Sequence, residues 1–153
     1  MSTLHADPSP RETTEVDELV VSVVIPCLNE EENIERCVRS ALEVLEENNI
    51  PGEVIVADNA SEDRSAELAA AAGARVVYEP RRGYGSAYLA GFAAARGRYI
   101  VMADADLTYD FREIPRFVEH LEQGAELVMG DRMDRIHPGA MPWLHRYVGN
   151  PVL

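Results

Sequence analysis

Apolar and polar positions alternate along this chain on two periods. LVVSVVIPCL (19–28) is a nearly continuous β-branched run, the pattern of a strand buried on both faces. Behind it, Ile34, Cys37, Val38, Ala41, Val44 and Leu45 repeat at helical spacing, and Asn29 with Glu32 three residues on has the form of a capping box. EVIVAD (53–58) predicts a second strand, with Ser61 placed to cap the following helix and Gly73 to end it. ARVVYEP (74–80) predicts a third strand, followed by the Gly-rich RRGYGS and the helix AYLAGFAAAR, stopped by Gly97. RYIVMAD (98–104) predicts a fourth strand. Residues 110–123 predict a helix with Ile114, Phe117, Val118 and Leu121 on one face; Pro115 fits its first turn, so the regular helix starts near Ile114. AELVMG (125–130) predicts a fifth strand. Residues 1–18 are polar and acidic and carry two prolines, which predicts a disordered leader ahead of a single domain over 19–153.

Strand and helix alternate with connections that suit only βαβ crossovers. The expected class is therefore α/β, a Rossmann-like, mostly parallel sheet sandwiched by helices. Ligands of such sheets bind beyond the C-terminal ends of the strands. Here those ends read PCLNE, ADNAS, EPRRGYGS, DADLT and GDR, a polar rim on an apolar sheet.

Composition narrows the partners. The 153 residues suffice to bury a core without disulfides. A formal net charge of -13 argues against nucleic acid, because phosphate backbones need clustered cations. All 14 basic residues are arginine, a bias that points to a GC-rich or salt-adapted source. Cys27 and Cys37 lack metal-type spacing and fall on apolar positions, as reduced core thiols of a cytosolic protein would. No apolar run reaches the roughly 18 residues of a membrane span, and the N-terminus lacks the apolar core of a signal peptide. A location in the cytoplasm or on the cytoplasmic face of a membrane is expected.

Each rim segment has a structural and a functional reading. Asn29 and Glu30 to Glu32 either cap a helix or line a pocket; the three carboxylates would repel a phosphate at this helix start but admit a neutral base or ribose. Nothing matches GxxxxGK[ST], so this is not a phosphate-cradling loop of that type. The same acidity weighs against a nucleotidyltransferase. Asp58 either accepts hydrogen bonds from a base or begins a turn. Arg81 and Arg82, ahead of Gly83 and Gly85, either hold a diphosphate or make a surface turn.

The aspartates carry more weight. Asp104 and Asp106 straddle one residue at a strand exit, so in extended backbone their side chains leave on the same side. Two carboxylates at short range are costly unless a cation lies between them. Oxygen-only ligands suit Mg²⁺ or Mn²⁺, which keep waters and bind substrate phosphates. Asp110 reads as the cap of the next helix. The bland alternative for the pair is a solvated acidic turn.

The segments VVIPCLNEEENI, VIVADNAS, RRGYGSAYLAGF, YIVMADADLT and VMGDRM, in that order, resemble the family 2 glycosyltransferases of GT-A fold. The subgroup most alike contains the dolichyl- or polyprenyl-phosphate mannose and glucose synthases. The resemblance implies a nucleotide-sugar donor, with Pro26, Leu28, Asn29, Glu30 and Asp58 lining the nucleoside pocket. It makes Asp106 a ligand of Mg²⁺ or Mn²⁺, with Asp104 near the ribose or the metal. Arg132 would face the phosphates at the reacting centre. Arg82 and Gly83 align with a donor-side Asn-x-Gly stretch. Thr108 stands where the subgroup often has Gln, and its hydroxyl can ligate the metal or hold its water. Asp131 adds a charge beside Arg132.

The resemblance further implies an inverting transfer of a hexose, from GDP-mannose or UDP-glucose, to a lipid-phosphate acceptor. The alternatives are a cell-surface polysaccharide or small acceptor, or a nucleotide-sugar-binding module without turnover. Relatives continue past PWLHRYVGNPVL, so the acceptor side is expected to be incomplete, as in a C-terminally truncated domain. The tail AMPWLHRYVGNPVL (140–153) is either an interfacial segment making peripheral membrane contact near a lipid acceptor or a helix that packs on further residues.

Overall fold

A computed structural model of the protein describes residues 18–130. Its strands are β1 (Val21–Cys27), β2 (Gly52–Asp58), β3 (Arg75–Tyr78) and β4 (Tyr99–Met102). They form one four-stranded sheet, parallel throughout, in the order β3-β2-β1-β4. The helices are α1 (Ile34–Glu47), α2 (Ser65–Ala71), α3 (Tyr84–Ala94) and α4 (Ile114–Glu122), the last preceded by a 3₁₀ turn at Phe111–Glu113. The mostly parallel α/β class expected for a GT-A domain is the one observed.

β1 is central, and Val21, Val23, Val24 and Ile25 are all 0% exposed, which is why its sequence is unbroken rather than alternating. One face is covered by α1: a side chain at Gly52 would meet Leu45 at 2.9 Å. The other face is covered by α3, where Tyr88 joins Val24 and Ile55 in one cluster. That approach is close enough to require a glycine, since a Cβ on Gly91 would stand 2.3 Å from Val24 Cγ1. α2 packs beside α1 and β3.

At the N-terminal end of the sheet, fully buried Ser22 donates from Oγ to Glu53 Oε1 at 2.9 Å and accepts the Gly97 N–H at 2.9 Å. Glu53 also accepts from Arg96 N (3.0 Å) and Arg75 Nε (3.0 Å). This knot ties the link between α3 and β4 to the start of the sheet. It holds Gly97 so close that a Cβ there would lie 2.5 Å from Ser22 N.

The ends of the helices depart from the sequence reading. Asn29 and Glu32 form no capping box: Asn33 precedes α1 without a side-chain cap, and the Ile34 N–H donates to Glu30 O at 2.9 Å. Asn29 has φ +56 and spends its side chain on the neighbouring loop instead. Ser61 does not cap α2, where Asp63 Oδ1 accepts the Ser65 N–H at 2.9 Å. Gly73 does end α2, with φ +107. α3 begins at Tyr84, three residues earlier than AYLAGFAAAR suggests, so the second half of the Gly-rich segment is helical. Asp110 caps the 3₁₀ turn by accepting the Arg112 N–H at 3.1 Å.

The chain divides into two compact units after Pro115. The first carries the sheet. In the second, the described residues finish α4, turn at Gly124 (φ +102) and run on irregularly to Gly130. The fifth strand expected over 125–130 does not form among the described residues. Leu127 and Met129 are 76% and 81% exposed, and the segment joins no ladder, so its apolar alternation has no sheet face to enter.

Candidate functional site

The chain runs outward from β1 through β2 to β3, then returns to the far side of β1 as β4. A parallel sheet opens a crevice at such a reversal, beyond the strands' C-terminal ends. A cleft of about 300 Å³ lies there. Pro26, Cys27 and Leu28 line it from the end of β1, with Glu30 just beyond; Asn59 follows β2; Gly83, Tyr84 and Ala87 open α3; Asp104, Ala105 and Asp106 follow β4.

Three of the turns at this edge use left-handed backbone at residues other than glycine: Asn29 (φ +56), Ala60 (φ +62) and Leu107 (φ +62), after β1, β2 and β4 respectively. The first two turns interlock. Asn29 N–H donates to Ser61 Oγ (3.0 Å), Glu62 N–H to Asn29 Oδ1 (2.8 Å) and Glu30 N–H to Ser65 Oγ (2.8 Å). Asn29 thus shapes this edge of the sheet without being among the residues that line the cleft.

Asp58 pairs in register with cleft-lining Cys27 and is only 1% exposed. Its Oδ2 accepts a long bond from Ser61 N–H (3.4 Å), while buried Oδ1 has no partner among the described residues. A buried carboxylate oxygen left unpaired is unfavourable by more than a neutral acceptor would be, so it marks a place where a donor group is wanted. Burial first, and the Asp58 charge as well, push the Cys27 thiol up to about 11, which keeps it a neutral wall rather than a nucleophile.

Asn59 is a three-way clamp. Its Nδ2 donates to Glu79 O (2.9 Å) and Arg81 O (2.8 Å), and its Oδ1 accepts the Gly83 N–H (2.7 Å). The loop between β3 and α3 is thereby fixed against the end of β2, with Gly83 at the cleft. The arginines of that loop turn elsewhere: Arg81 pairs with Glu79 at 2.9 Å and Arg82 with Glu62 at 2.7 Å.

β4 ends at Met102, yet the in-out alternation persists through the next turn. Ala103 and Ala105 are buried, while Asp104 and Asp106 both reach the cleft, as their spacing predicts. Asp104 Oδ1 accepts from Tyr84 OH (2.7 Å) and Tyr88 OH (3.3 Å). Asp106 Oδ1 accepts from the Thr108 N–H (3.0 Å) and hydroxyl (2.6 Å), so Thr108 acts on Asp106 and not at the cleft wall. Arg132, Asp131 and the tail 140–153 lie outside the described residues.

Among the described residues no arginine lines this cleft, whereas Glu30, Asp104 and Asp106 do. Among the described residues no three His, Cys, Asp or Glu side chains gather as a metal site. A divalent cation held by the two aspartates would draw its other ligands from water and substrate, the coordination Mg²⁺ and Mn²⁺ favour. The donor set fits such an ion.

Of the sequence candidates, Pro26, Leu28, Glu30, Gly83, Asp104 and Asp106 meet at one cleft, and Asp58 borders it. Asn59, Tyr84 and Tyr88 were missed. The signal for Asn59 was its place directly after a strand-ending carboxylate, and for Tyr84 its place between two glycines.

The model of the family described as glycosyl transferase family 2 matches residues 22–148. The low-salt glycan biosynthesis hexosyltransferase Agl6 of Haloferax volcanii is 49% identical over 135 residues, covering 87% of this chain and 32% of that protein. The undecaprenyl-phosphate 4-deoxy-4-formamido-L-arabinose transferase of Pseudomonas aeruginosa is 37% identical over 136 residues, 84% of this chain and 40% of that one. The chain thus spans less than half the length of either relative. Among solved structures, the glucosyl-3-phosphoglycerate synthase of Mycobacterium tuberculosis, crystallised with Mn²⁺, UDP-glucose and phosphoglyceric acid, is similar at TM-score 0.59 and 33% identity. That likeness covers 69% of this chain and 40% of the synthase.

Proposed function

The chain belongs to glycosyl transferase family 2, and on that premise we propose that it transfers a hexose, with inversion, from UDP-glucose or GDP-mannose to a polyprenyl or dolichyl phosphate. The observation that carries this reading is the cleft at the strand-order reversal: a buried carboxylate oxygen without a partner among the described residues at one end, and two carboxylates at the other.

Asp58 Oδ1 suits a base N–H, with Pro26 and Leu28 as apolar walls and Asn29 and Glu30 completing the nucleoside side. The diphosphate would then extend past Gly83, where backbone approaches closely, toward Asp104 and Asp106. Arg82 reaches it only by exchanging its pair with Glu62. An anionic donor in an acidic cleft needs a cation. Mg²⁺ or Mn²⁺ held by Asp106 and Asp104, with Thr108 steadying or joining the set, would neutralise charge on the departing diphosphate. Arg132 is assigned the same task from the segment beyond residue 130.

In the reaction, an acceptor oxygen attacks the anomeric carbon opposite the diphosphate. The new C–O bond forms as the old one breaks, and the electron pair leaves with the nucleoside diphosphate. A lipid phosphate is already anionic, so no general base is required. The Pseudomonas relative, named for undecaprenyl phosphate, supports this acceptor; action in the cytoplasm or at the cytoplasmic face of a membrane belongs to the same proposal. Among the described residues, no helix is long and apolar enough to cross a membrane. A small acceptor is the second reading, favoured by the mycobacterial synthase bound to phosphoglyceric acid.

The test is a calorimetric titration of UDP-glucose and GDP-mannose, with and without Mn²⁺, on the chain and on Asp106→Ala. Mn²⁺-dependent binding that is lost in the variant is expected; equal binding by both proteins would sink the metal assignment. Turnover with polyprenyl phosphate or with phosphoglycerate then separates the two acceptors, and turnover with neither leaves a donor-binding module.

A further inference from the structure

We propose that Tyr84 and Tyr88 are positioning residues: two phenol hydroxyls, one helical turn apart on α3, that orient the Asp104 carboxylate and present its Oδ2 to the donor complex. The inference rests on the reading above, in which Asp104 meets the ribose or the cation.

Both hydroxyls converge on one oxygen. Tyr84 OH donates to Asp104 Oδ1 at 2.7 Å and Tyr88 OH lies 3.3 Å from the same atom, while neither engages Oδ2. The terminal torsion of an aspartate is broad and roughly two-fold. Two donors on Oδ1 select one of its orientations and turn the other oxygen away from α3. Tyr88 OH also lies 3.0 Å from Ala103 O, so its single proton is shared: it anchors the backbone that carries Asp104 and supports the carboxylate more weakly than Tyr84 does.

Packing alone does not account for either hydroxyl. The Tyr88 ring is buried among Val24, Ile55 and Phe92, contacts a phenylalanine would make equally well. Burial, first of all, keeps its phenol protonated and hence a donor. Tyr84 is 62% exposed at the cleft, where a tyrosine adds little to a core. Its ring stands edge-on to Tyr88 with centroids 4.9 Å apart, which fixes the direction of its hydroxyl. The helix places the pair correctly because residues four apart share a face. The reversal of strand order sets β4, and so Asp104, within reach of that face.

The experiment is a double-mutant cycle on the full chain. Mn²⁺-dependent UDP binding is measured by calorimetry for Y84F, Y88F and the double variant, each with and without D104N, with far-UV circular dichroism as the check on folding. Each Tyr→Phe change is expected to weaken binding roughly tenfold, the loss of one hydrogen bond to a charged group. In the D104N background Y84F should have no further effect, and Y88F only the smaller one left by the loss of its bond to Ala103 O. Wild-type affinity in Y84F and Y88F, alongside weakened D104N, would overturn the inference while leaving the donor site intact. Undiminished tyrosine effects in D104N would also overturn it, because the phenols would then act on the ligand directly. Wild-type affinity in D104N itself would remove the functional reading, and this inference with it. Should Y88F fail to fold, exposed Tyr84 carries the cycle alone.

Discussion

Asp58 is the residue whose energetics and role pull in opposite directions. Its Oδ1 is buried without a partner among the described residues, so the folded chain carries a desolvated carboxylate oxygen that nothing there offsets. Asp58→Asn keeps the shape and removes the charge. Urea denaturation should show the variant as stable as the parent or more so, by about 1 kcal/mol, while UDP titration shows at least a tenfold loss of affinity. A destabilised variant with normal affinity would mean that Asp58 serves the fold. The carboxylates of this site were legible in sequence because acidic groups at the end of an apolar strand are expensive and ask for a reason. Asn59, Tyr84 and Tyr88 were not: a hydroxyl on a helix or an amide in a turn acquires meaning only once it is known which strands flank it. Thr108 shows the same limit, since its hydroxyl lies against Asp106 and not at the cleft wall.

At the scale of elements, four strands and four helices follow from apolar periodicity, whereas their ends do not. The box expected of Asn29 and Glu32 gave way because Asn29 is drawn across to the loop after β2, a long-range partner invisible to local spacing. The segment 125–130 has the alternation of a strand but pairs with no strand among the described residues. The knot around Ser22 was likewise hidden, because Glu53 reads in sequence as an ordinary strand-edge charge. Burial favours the protonated form of Glu53, yet hydrogen bonds from Ser22, Arg75 and Arg96 together hold its carboxyl below the ordinary value of 4.5. With the folded-state value depressed, this knot contributes stability above about pH 4.5 that disappears as pH falls through the folded-state value. Thermal melts between pH 3 and 6 should therefore show a steeper acid loss in the parent than in E53Q; parallel curves would show that the knot does not couple to pH.

Considered whole, the molecule sets an acidic surface against an acidic cleft. Its net charge of -13 disfavours the compact state through self-repulsion, and at about 1 M salt the screening length shrinks to roughly 3 Å. The melting temperature should rise steadily as NaCl increases from about 0.05 to 1 M, and an unchanged value would show that the charges are already dispersed enough to be harmless. The parallel sheet was foreseeable from the alternation of elements, but the place where its order reverses was not, because nothing local in the sequence says that β4 returns beside β1 and not beyond β3. Behind the cleft opened by that reversal, the turns after β1, β2 and β4 hold Asn29, Ala60 and Leu107 in a left-handed conformation that each side chain disfavours. Sheet formation holds those three turns in place whether or not a donor is present. The work of shaping this edge is thus done once, during folding, and would not be repeated at each cycle of the proposed transfer. On the proposed function, selectivity would then be exercised on arrival: a nucleotide of the wrong outline would meet a wall that resists remoulding and depart, instead of being accommodated and sorted later.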